Sequence, residues 1–225
     1  MSDRSILLIF MKSPVKGRVK SRLAAAVGEK AALELYKNLI LDTIDTAKGC
    51  GYPFRICFYP PDAEETISSW IGREFSVIPQ TGGDLGSRMK NAFERIFSEG
   101  FTSAALIGSD LPELPAAAIR EAFEALATND AVIGPAEDGG YYLIGFNRAA
   151  LLPHAFRGIA WGTKTVFRQT MDALRSASLR VHELPPWADM DTIEDLKTLL
   201  LRYEGGGPAA SRTAAYLKTL RGVTL

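Results

Sequence analysis

Cysteine is nearly missing from this chain. Only Cys50 and Cys57 occur in 225 residues, seven positions apart. That excludes a disulfide framework and a paired-cysteine metal ribbon, and makes a reducing, cytoplasmic setting the expectation. Histidine is as scarce: His154 and His182 have no cysteine or acidic partner nearby in the sequence, and neither is expected to carry chemistry. No apolar run is long enough to span a bilayer. Residues 6–11 are apolar but short, and Lys12 follows them without a small-residue cleavage site, so they read as a buried strand rather than a signal peptide. Net charge is absent too, with 26 Lys and Arg against 26 Asp and Glu. No global field then draws the molecule to nucleic acid or membrane, and neither is expected as a partner. Any anion must be held by a local cluster. The Gly-x-Ser-x-Gly elbow, the HExxH helix, the GxxxxGK[ST] loop and the dinucleotide fingerprint are all missing, which sets aside serine hydrolases, zinc peptidases, P-loop ATPases and simple dehydrogenases.

What is present is an ordinary globular composition, 47% apolar and 23% charged, sufficient for one domain spanning residues 1–225. The only linker-like stretch, Gly205-Gly206-Gly207-Pro208, is expected to set off a helical appendage at residues 205–225. Short apolar runs at 6–11, 54–59, 75–78, 104–107, 131–133, 141–146 and 179–184 read as strands. Helical periodicity occupies 30–47, 63–72, 85–96, 116–127, 165–174 and 193–203. This alternation predicts an α/β fold, a mostly parallel central sheet with helices on both faces. Ligands of such sheets bind in the loops after the carboxyl ends of strands.

Those loops hold the polar clusters. After the first strand, Lys12, Lys16, Arg18, Lys20 and Arg22 place five cations within eleven residues around Gly17, with no acid inside the run, as a polyphosphate would require. After the third strand, Gln80, Gly82, Gly83 and Arg88 are arranged to let backbone and side chain meet a base or ribose; Asp84 equally suits a helix N-cap. Asp110 ends the central strand before Pro112, where an unpaired carboxylate is costly, and a hard cation such as Mg2+ would use it together with phosphates. Asp138, Gly139 and Gly140 form either a plain hairpin turn or an acceptor loop. Asp189 and Asp191 precede a helix whose capping needs explain some of the nearby acids but not both of these, leaving at least one for a metal.

Taken in order, the segments KSPVKGRVKSRL, QTGGDLGSRM, LIGSDLP, GPAEDGGYYLIG, IAWGTKTV and DMDTIEDL resemble the bacterial rSAM/selenodomain-associated transferase 1 family, within the GT-A-like nucleotide-diphospho-sugar transferases. The resemblance runs over about residues 7–199. More distantly the layout is similar to 2-phospholactate guanylyltransferase and molybdenum-cofactor nucleotidyltransferases. The resemblance implies a three-layer α/β/α GT-A-like fold and transfer of a glycosyl or nucleotidyl group from a nucleotide sugar or nucleoside triphosphate to a small acceptor. It implies phosphate contacts from Lys12, Gly17, Lys20 and Arg22, and base or ribose contacts from Gln80, Gly82 and Arg88. Mg2+ or Mn2+ would sit on Asp110 with Asp189 or Asp191. The acceptor side would be Asp138, Gly139, Gly140 and Trp161, with Lys20, Asp110 and Asp138 catalytic. The chain departs from the Asp-x-Asp of many such glycosyltransferases, having only Asp110 after Ser109, and from the Gly-Thr-Arg loop of sugar nucleotidyltransferases. A nucleotide-binding module without turnover is the alternative reading.

Overall fold

The computed structural model describes residues 4–204 and 211–220; the Gly205–Pro208 stretch lies outside them. Seven strands form one sheet: β1 (Ser5–Lys12), β2 (Phe54–Tyr59), β3 (Val77–Pro79), β4 (Ser103–Ile107), β5 (Ala131–Pro135), β6 (Tyr141–Asn147) and β7 (Val181–Glu183), in the order β3-β2-β1-β4-β6-β5-β7. All neighbours pair in parallel except β6, which runs antiparallel to β4 and β5. The mixed orientation follows from the short turn joining β5 to β6, too short for the crossover that a parallel pair needs. The central strands are apolar throughout because both faces of the sheet are covered. Along β1, Leu7, Ile9 and Met11 enter one core, and Ile6, Leu8 and Phe10 enter the other, the period-2 division that pleating imposes.

On the first face lie α2 (Glu29–Gly49), α3 (Glu64–Ile71) and α5 (Ala116–Leu126); on the second lie α4 (Leu85–Ser98) and α6 (Val166–Ser176). Each presents an apolar stripe at helical spacing, such as Met89, Phe93, Ile96 and Phe97 of α4, and each fully buried large side chain contributes about 1.5–3 kcal/mol. A third cluster sits beyond the first face. There Leu23 of α1 (Ser21–Val27), Leu35 and Leu39 of α2, Leu196 and Leu199 of α7 (Ile193–Glu204), and Leu217 of α8 (Arg212–Leu220) pack around Met190. Among the described residues no helix is long and apolar enough to cross a membrane.

The differences from the sequence reading are local. α1 was absent from it, because its Ser21–Val27 segment begins inside a cationic run that reads as loop. The third strand is shorter and later than 75–78, being Val77–Pro79. The seventh is trimmed to Val181–Glu183, at the sheet's edge. His182 does have an acidic partner: its Nε2 lies 3.4 Å from Glu121 Oε1, across 61 residues of chain. Both cysteines are buried as free thiols.

Sheet order also decides where a ligand can reach the backbone. From β1 the chain steps to β2 and β3 on one side, and β4 then lies on the other side of β1. The crevice above the β1 and β4 carboxyl ends is therefore a topological switch point. Because β6 runs antiparallel, the β5–β6 turn opens at the same edge, and the segment after β7 is drawn there by the bridge between Ala136 and Trp187.

Candidate active site

The loop after β1 is fixed before it reaches the crevice. Tyr36 of α2 clamps the strand end: its hydroxyl accepts from Lys12 N at 2.9 Å and donates to Lys12 O at 3.2 Å. Further on, Val19, Lys20 and Leu23 are all buried. Lys20 adopts φ 48°, ψ 45° at the start of α1, a left-handed conformation that costs a non-glycine residue about 1–2 kcal/mol. Its ammonium is held 2.7 Å from Asp110 Oδ2 and 3.1 Å from Asp191 Oδ1, with the side chain 3% exposed. Arg22 adds a longer contact, 3.7 Å to Asp191 Oδ2.

The carboxylates are placed just as firmly. Met190 N donates to Asp110 O at 3.1 Å, and Trp187 Nε1 donates to Pro112 O at 3.0 Å, joining the loop after β4 to the loop before α7. The start of α7 is capped by Asp195, whose Oδ2 accepts from Asp191 N at 2.9 Å and Thr192 N at 2.7 Å. In return, Asp195 N donates to Thr192 Oγ1 at 3.3 Å. Capping is thus shared by Thr192 and Asp195, and the Asp191 carboxylate is left for Lys20. Burial would raise the Asp110 carboxyl, but the Lys20 ammonium and its hydrogen bond outweigh that and hold it below the usual range. Burial would equally lower Lys20, and the two aspartates outweigh it and raise it. Asp189 is in the opposite condition. Burial and the charges of Asp110 and Asp138 push its carboxyl up to about 6, with Lys20 only partly offsetting them.

Two chambers meet at Asp110. One, of about 270 Å³, is lined by Lys12, Lys20, Tyr59, Gln80, Arg88 and Asp191, among others. In it the Arg88 guanidinium lies 4.4 Å from the Tyr59 ring centroid. The other, of about 280 Å³, is lined by Phe10, Met89, Asp138, Tyr141, Trp161 and Asp189, among others. Glycine is required where the second chamber's loops meet. Gly139 has φ +91°, and a side chain on it would meet the Lys164 backbone at 2.4 Å; one on Gly86 would meet Phe156 O at 2.3 Å and the Trp161 ring at 2.8 Å. The close approaches seat Trp161 against Tyr141, edge to face at 6.3 Å.

Of the residues singled out from sequence, the structure brings Lys12, Lys20, Gln80, Arg88, Asp110 and Asp191 into the first chamber, and Asp138, Gly140, Trp161 and Asp189 into the second. Arg22 borders an adjoining recess with Asp138, Asp189 and Asp191. Gly17 and Gly82 are on exposed turns and line neither chamber, and Gly139 supports the second from behind. Gln80 is buried, and both N–H groups of its amide donate to backbone carbonyls, Cys57 O at 2.8 Å and Met11 O at 3.2 Å. Only its carbonyl oxygen remains for a ligand. Asp84 is a helix cap, accepting from Ser87 N in a capping box. Asp138 also makes the turn's own bond, accepting from Gly140 N at 2.8 Å. The cationic run does meet acid from elsewhere, Glu29 lying 3.6 Å from Lys16. Tyr36 and Tyr59 were not singled out, because the one reads as part of a core stripe and the other as a strand end.

The mostly parallel sheet, with its helices on both faces, is shared with nucleotidyltransferase-like α/β folds. Solved structures agree. A protein from Desulfovibrio desulfuricans G20, provisionally named a nucleotide-diphospho-sugar transferase, matches with TM-score 0.94 and 37% identity, over 98% of this chain and 96% of that one. The 4-diphosphocytidyl-2C-methyl-D-erythritol synthase of Anaerococcus prevotii DSM 20548 shares the fold with TM-score 0.60 at 13% identity, over 96% of each chain. Rv0371c of Mycobacterium tuberculosis H37Rv, in complex with manganese, shares it with TM-score 0.55 at 17% identity, over 89% of this chain and all of that one. Residues 43–163 match the family described as uncharacterized protein conserved in bacteria, DUF2064. The chain belongs to that family.

Proposed function

We propose that this protein is a divalent-metal-dependent transferase that takes a nucleotide sugar or nucleoside triphosphate and passes its glycosyl or nucleotidyl group to a small acceptor. The observation that carries the reading is the meeting, at one switch-point crevice, of Lys20 with Asp110 and Asp191, at 2.7 and 3.1 Å. The finer sequence resemblance, to rSAM-associated transferases and 2-phospholactate guanylyltransferase, supports it, as does the family relationship to a protein bearing a transferase name.

The donor set fits a hard cation of the Mg2+ or Mn2+ kind. Among the described residues no three acid, histidine or cysteine side chains are grouped to hold a metal alone, so phosphate oxygens and water would have to complete its shell, as Mg2+ prefers. The upward shift of Asp189 to about 6 comes first from burial and then from neighbouring carboxylate charge that Lys20 does not cancel. Asp110 and Asp191 are the assigned ligands, since they face the first chamber together; Asp189 faces the second. The manganese complex of the structural relative Rv0371c supports divalent-metal use in this fold. When bound, the metal would draw charge from the donor's phosphates.

The chain's own residues supply the rest. Lys12, Lys20 and Arg22 hold the phosphate oxygens, which keeps the donor extended toward Asp110. For nucleotidyl transfer, the acceptor oxygen attacks the α-phosphorus in line and pyrophosphate leaves into this cationic side. For glycosyl transfer, the acceptor attacks the sugar and a nucleoside diphosphate leaves there. Asp138 is placed to orient the acceptor hydroxyl. Pyrophosphate release from a lone triphosphate, or hydrolysis of a nucleotide sugar, separates the two outcomes. One observation favours a module without turnover instead: Lys20 already satisfies both carboxylates. Nucleotide binding with no product across acceptors would support that.

The test is a thermal-shift titration of nucleotides and nucleotide sugars with and without Mg2+ or Mn2+. Asp110→Asn should abolish the metal-dependent part of the shift while circular dichroism stays native. An unchanged metal response in that variant removes Asp110 from the site and the reading with it.

A further inference from the structure

The second chamber has an inner part that neither the first chamber nor the adjoining recess shares. Every charged residue of its lining stands at an edge: Asp110 also lines the first chamber, and Asp138 and Asp189 also line the recess beside Arg22. Inside those edges are Met89, Leu106, Leu111, Tyr141, Trp161 and Val166. Three side-chain hydroxyls are present as well, and each has given its hydrogen to the protein. Tyr141 donates to Met89 Sδ at 3.8 Å, Tyr142 to Pro185 O at 3.2 Å and Thr163 to Ala160 O at 2.8 Å. Among the described residues no amide side chain, lysine, arginine or histidine lines the chamber. A polyol seated here would bury several hydroxyls against carbon, at a cost for each. A ring or branched hydrocarbon would instead exchange water for the Trp161 and Tyr141 rings, which meet edge to face at 6.3 Å. These inner walls are uncharged, so a cation on Asp110 and Asp191 leaves their character unchanged. The space is about 280 Å³, against the roughly 150 Å³ of an apolar protein cavity that encloses benzene. One ring with a short chain, or two fused rings, fits it.

We propose that the acceptor is an amphipathic molecule whose apolar body, of one or two rings or an equivalent branched chain, fills this inner part while its nucleophilic group lies at the Asp110 edge. The nucleophile is not restricted by these walls: a hydroxyl, a carboxylate or a phosphate meets the donor at that edge equally well. The proposal rests on the reading that the first chamber takes the donor and the second the acceptor. It deepens that reading by naming the body that the acceptor carries. Trp161 is the residue on which the selection turns. Its ring is seated against Gly86, where any side chain would collide with the Phe156 carbonyl and with the ring itself.

Protein-observed NMR on the full-length chain with Mg2+ present tests this, the Trp161 indole N–H being assigned by its loss in Trp161→Phe. The probes are 2-phenylethanol and 2-(2-naphthyl)ethanol, against glycerol and myo-inositol. Both aryl alcohols should move the Trp161 signal and bind at least about tenfold more tightly than either polyol. Trp161→Ala should weaken 2-phenylethanol at least about fivefold, and Trp161→Phe should keep most of its affinity. The ranking in the unaltered protein stands whether or not the alanine variant folds. Polyols binding as tightly as the aryl alcohols, aryl binding that leaves Trp161 unmoved, or binding of none of the four overturns the proposal. So does displacement of 2-phenylethanol by a bound nucleotide sugar or nucleoside triphosphate, which would hand the chamber to the donor. Nucleotide titrations on the same sample keep the two readings apart. Absence of nucleotide binding with the aryl ranking intact removes the donor assignment and leaves the chamber's preference standing; nucleotide binding without an aryl preference removes the acceptor class alone.

Discussion

On the β1 side of Asp110, the inward-facing polar groups are tied to the protein itself: Lys20 to two carboxylates, Tyr36 to both backbone groups of Lys12, and Gln80 to two strand carbonyls. On the β5–β6 side, Asp138 and Asp189 face the cavity without a cation, and the Asp189 carboxyl is driven up to about 6 by burial and by its acidic neighbours. The first region is preorganised by its own hydrogen bonds and keeps an excess of cations; the second carries unpaired carboxylates on a mostly apolar surface. The contrast also locates the energetic cost of the site. Left-handed Lys20 and crowded Asp189 are both conformations or charges that stability alone would not choose.

The largest expected effect strikes the second chamber through its backbone. Gly139→Ala would set a side chain at φ +91° and 2.4 Å from the Lys164 backbone. It should cost about 3 kcal/mol by denaturant unfolding and lower the Trp161 region's protection from hydrogen exchange; a loss below about 0.5 kcal/mol would mean that the loop yields freely. Next comes the first chamber. Lys20→Ala should weaken nucleoside triphosphate binding about 30-fold, near 2 kcal/mol, and monophosphate binding much less. Equal losses across the phosphate series would sever Lys20 from the phosphates.

A smaller effect has the opposite sign. An unfolded aspartate ionises near pH 3.9, whereas Asp189 in the fold ionises at about 6. Between those values the native state holds the extra proton, so this group's contribution to stability falls as pH rises through the window. Asp189→Asn should therefore stabilise the protein at pH 7.5, by on the order of 1 kcal/mol once partial exposure is allowed for. The gain should close below about pH 4. A variant no more stable than wild type at pH 7.5 would show that the second chamber is less crowded with charge than the contrast requires. The smallest effect is a control outside both chambers: Lys16→Ala breaks an exposed pair with Glu29 and should change stability by no more than about 0.5 kcal/mol and leave triphosphate affinity unaltered.

Much of the architecture was legible because local rules govern it. Both-face burial makes β1 and β4 continuous apolar runs, and the stripes of α2 and α4 repeat at helical spacing. The antiparallel entry of β6 was not legible, since a strand's pattern is the same in either direction. Within the site, the loops were readable from their position after strands, and so were the residue types. Their partnership was not: Lys20 meets Asp191 across 171 residues, and spacing carries no information at that range. The division of labour between Asp191, which meets Lys20, and Asp195, which caps α7, was likewise hidden, because either acid could cap when only the sequence is considered. Gln80's own partners were hidden for a related reason. Its amide suits a base, and nothing local reveals that two carbonyls from other strands already hold it.

The third apolar cluster stands directly behind the lysine–aspartate junction. Leu23 lies three residues after Lys20, and Met190 lies between Asp189 and Asp191; both belong to the cluster that Leu217 and Leu220 of α8 help to close. The final helix, far from the cleft along the chain, is thereby the floor on which the cleft's charged hinge rests. Trimming that helix should slacken the grip on polyphosphate and lower the melting temperature together, since it takes Leu217 out of the core.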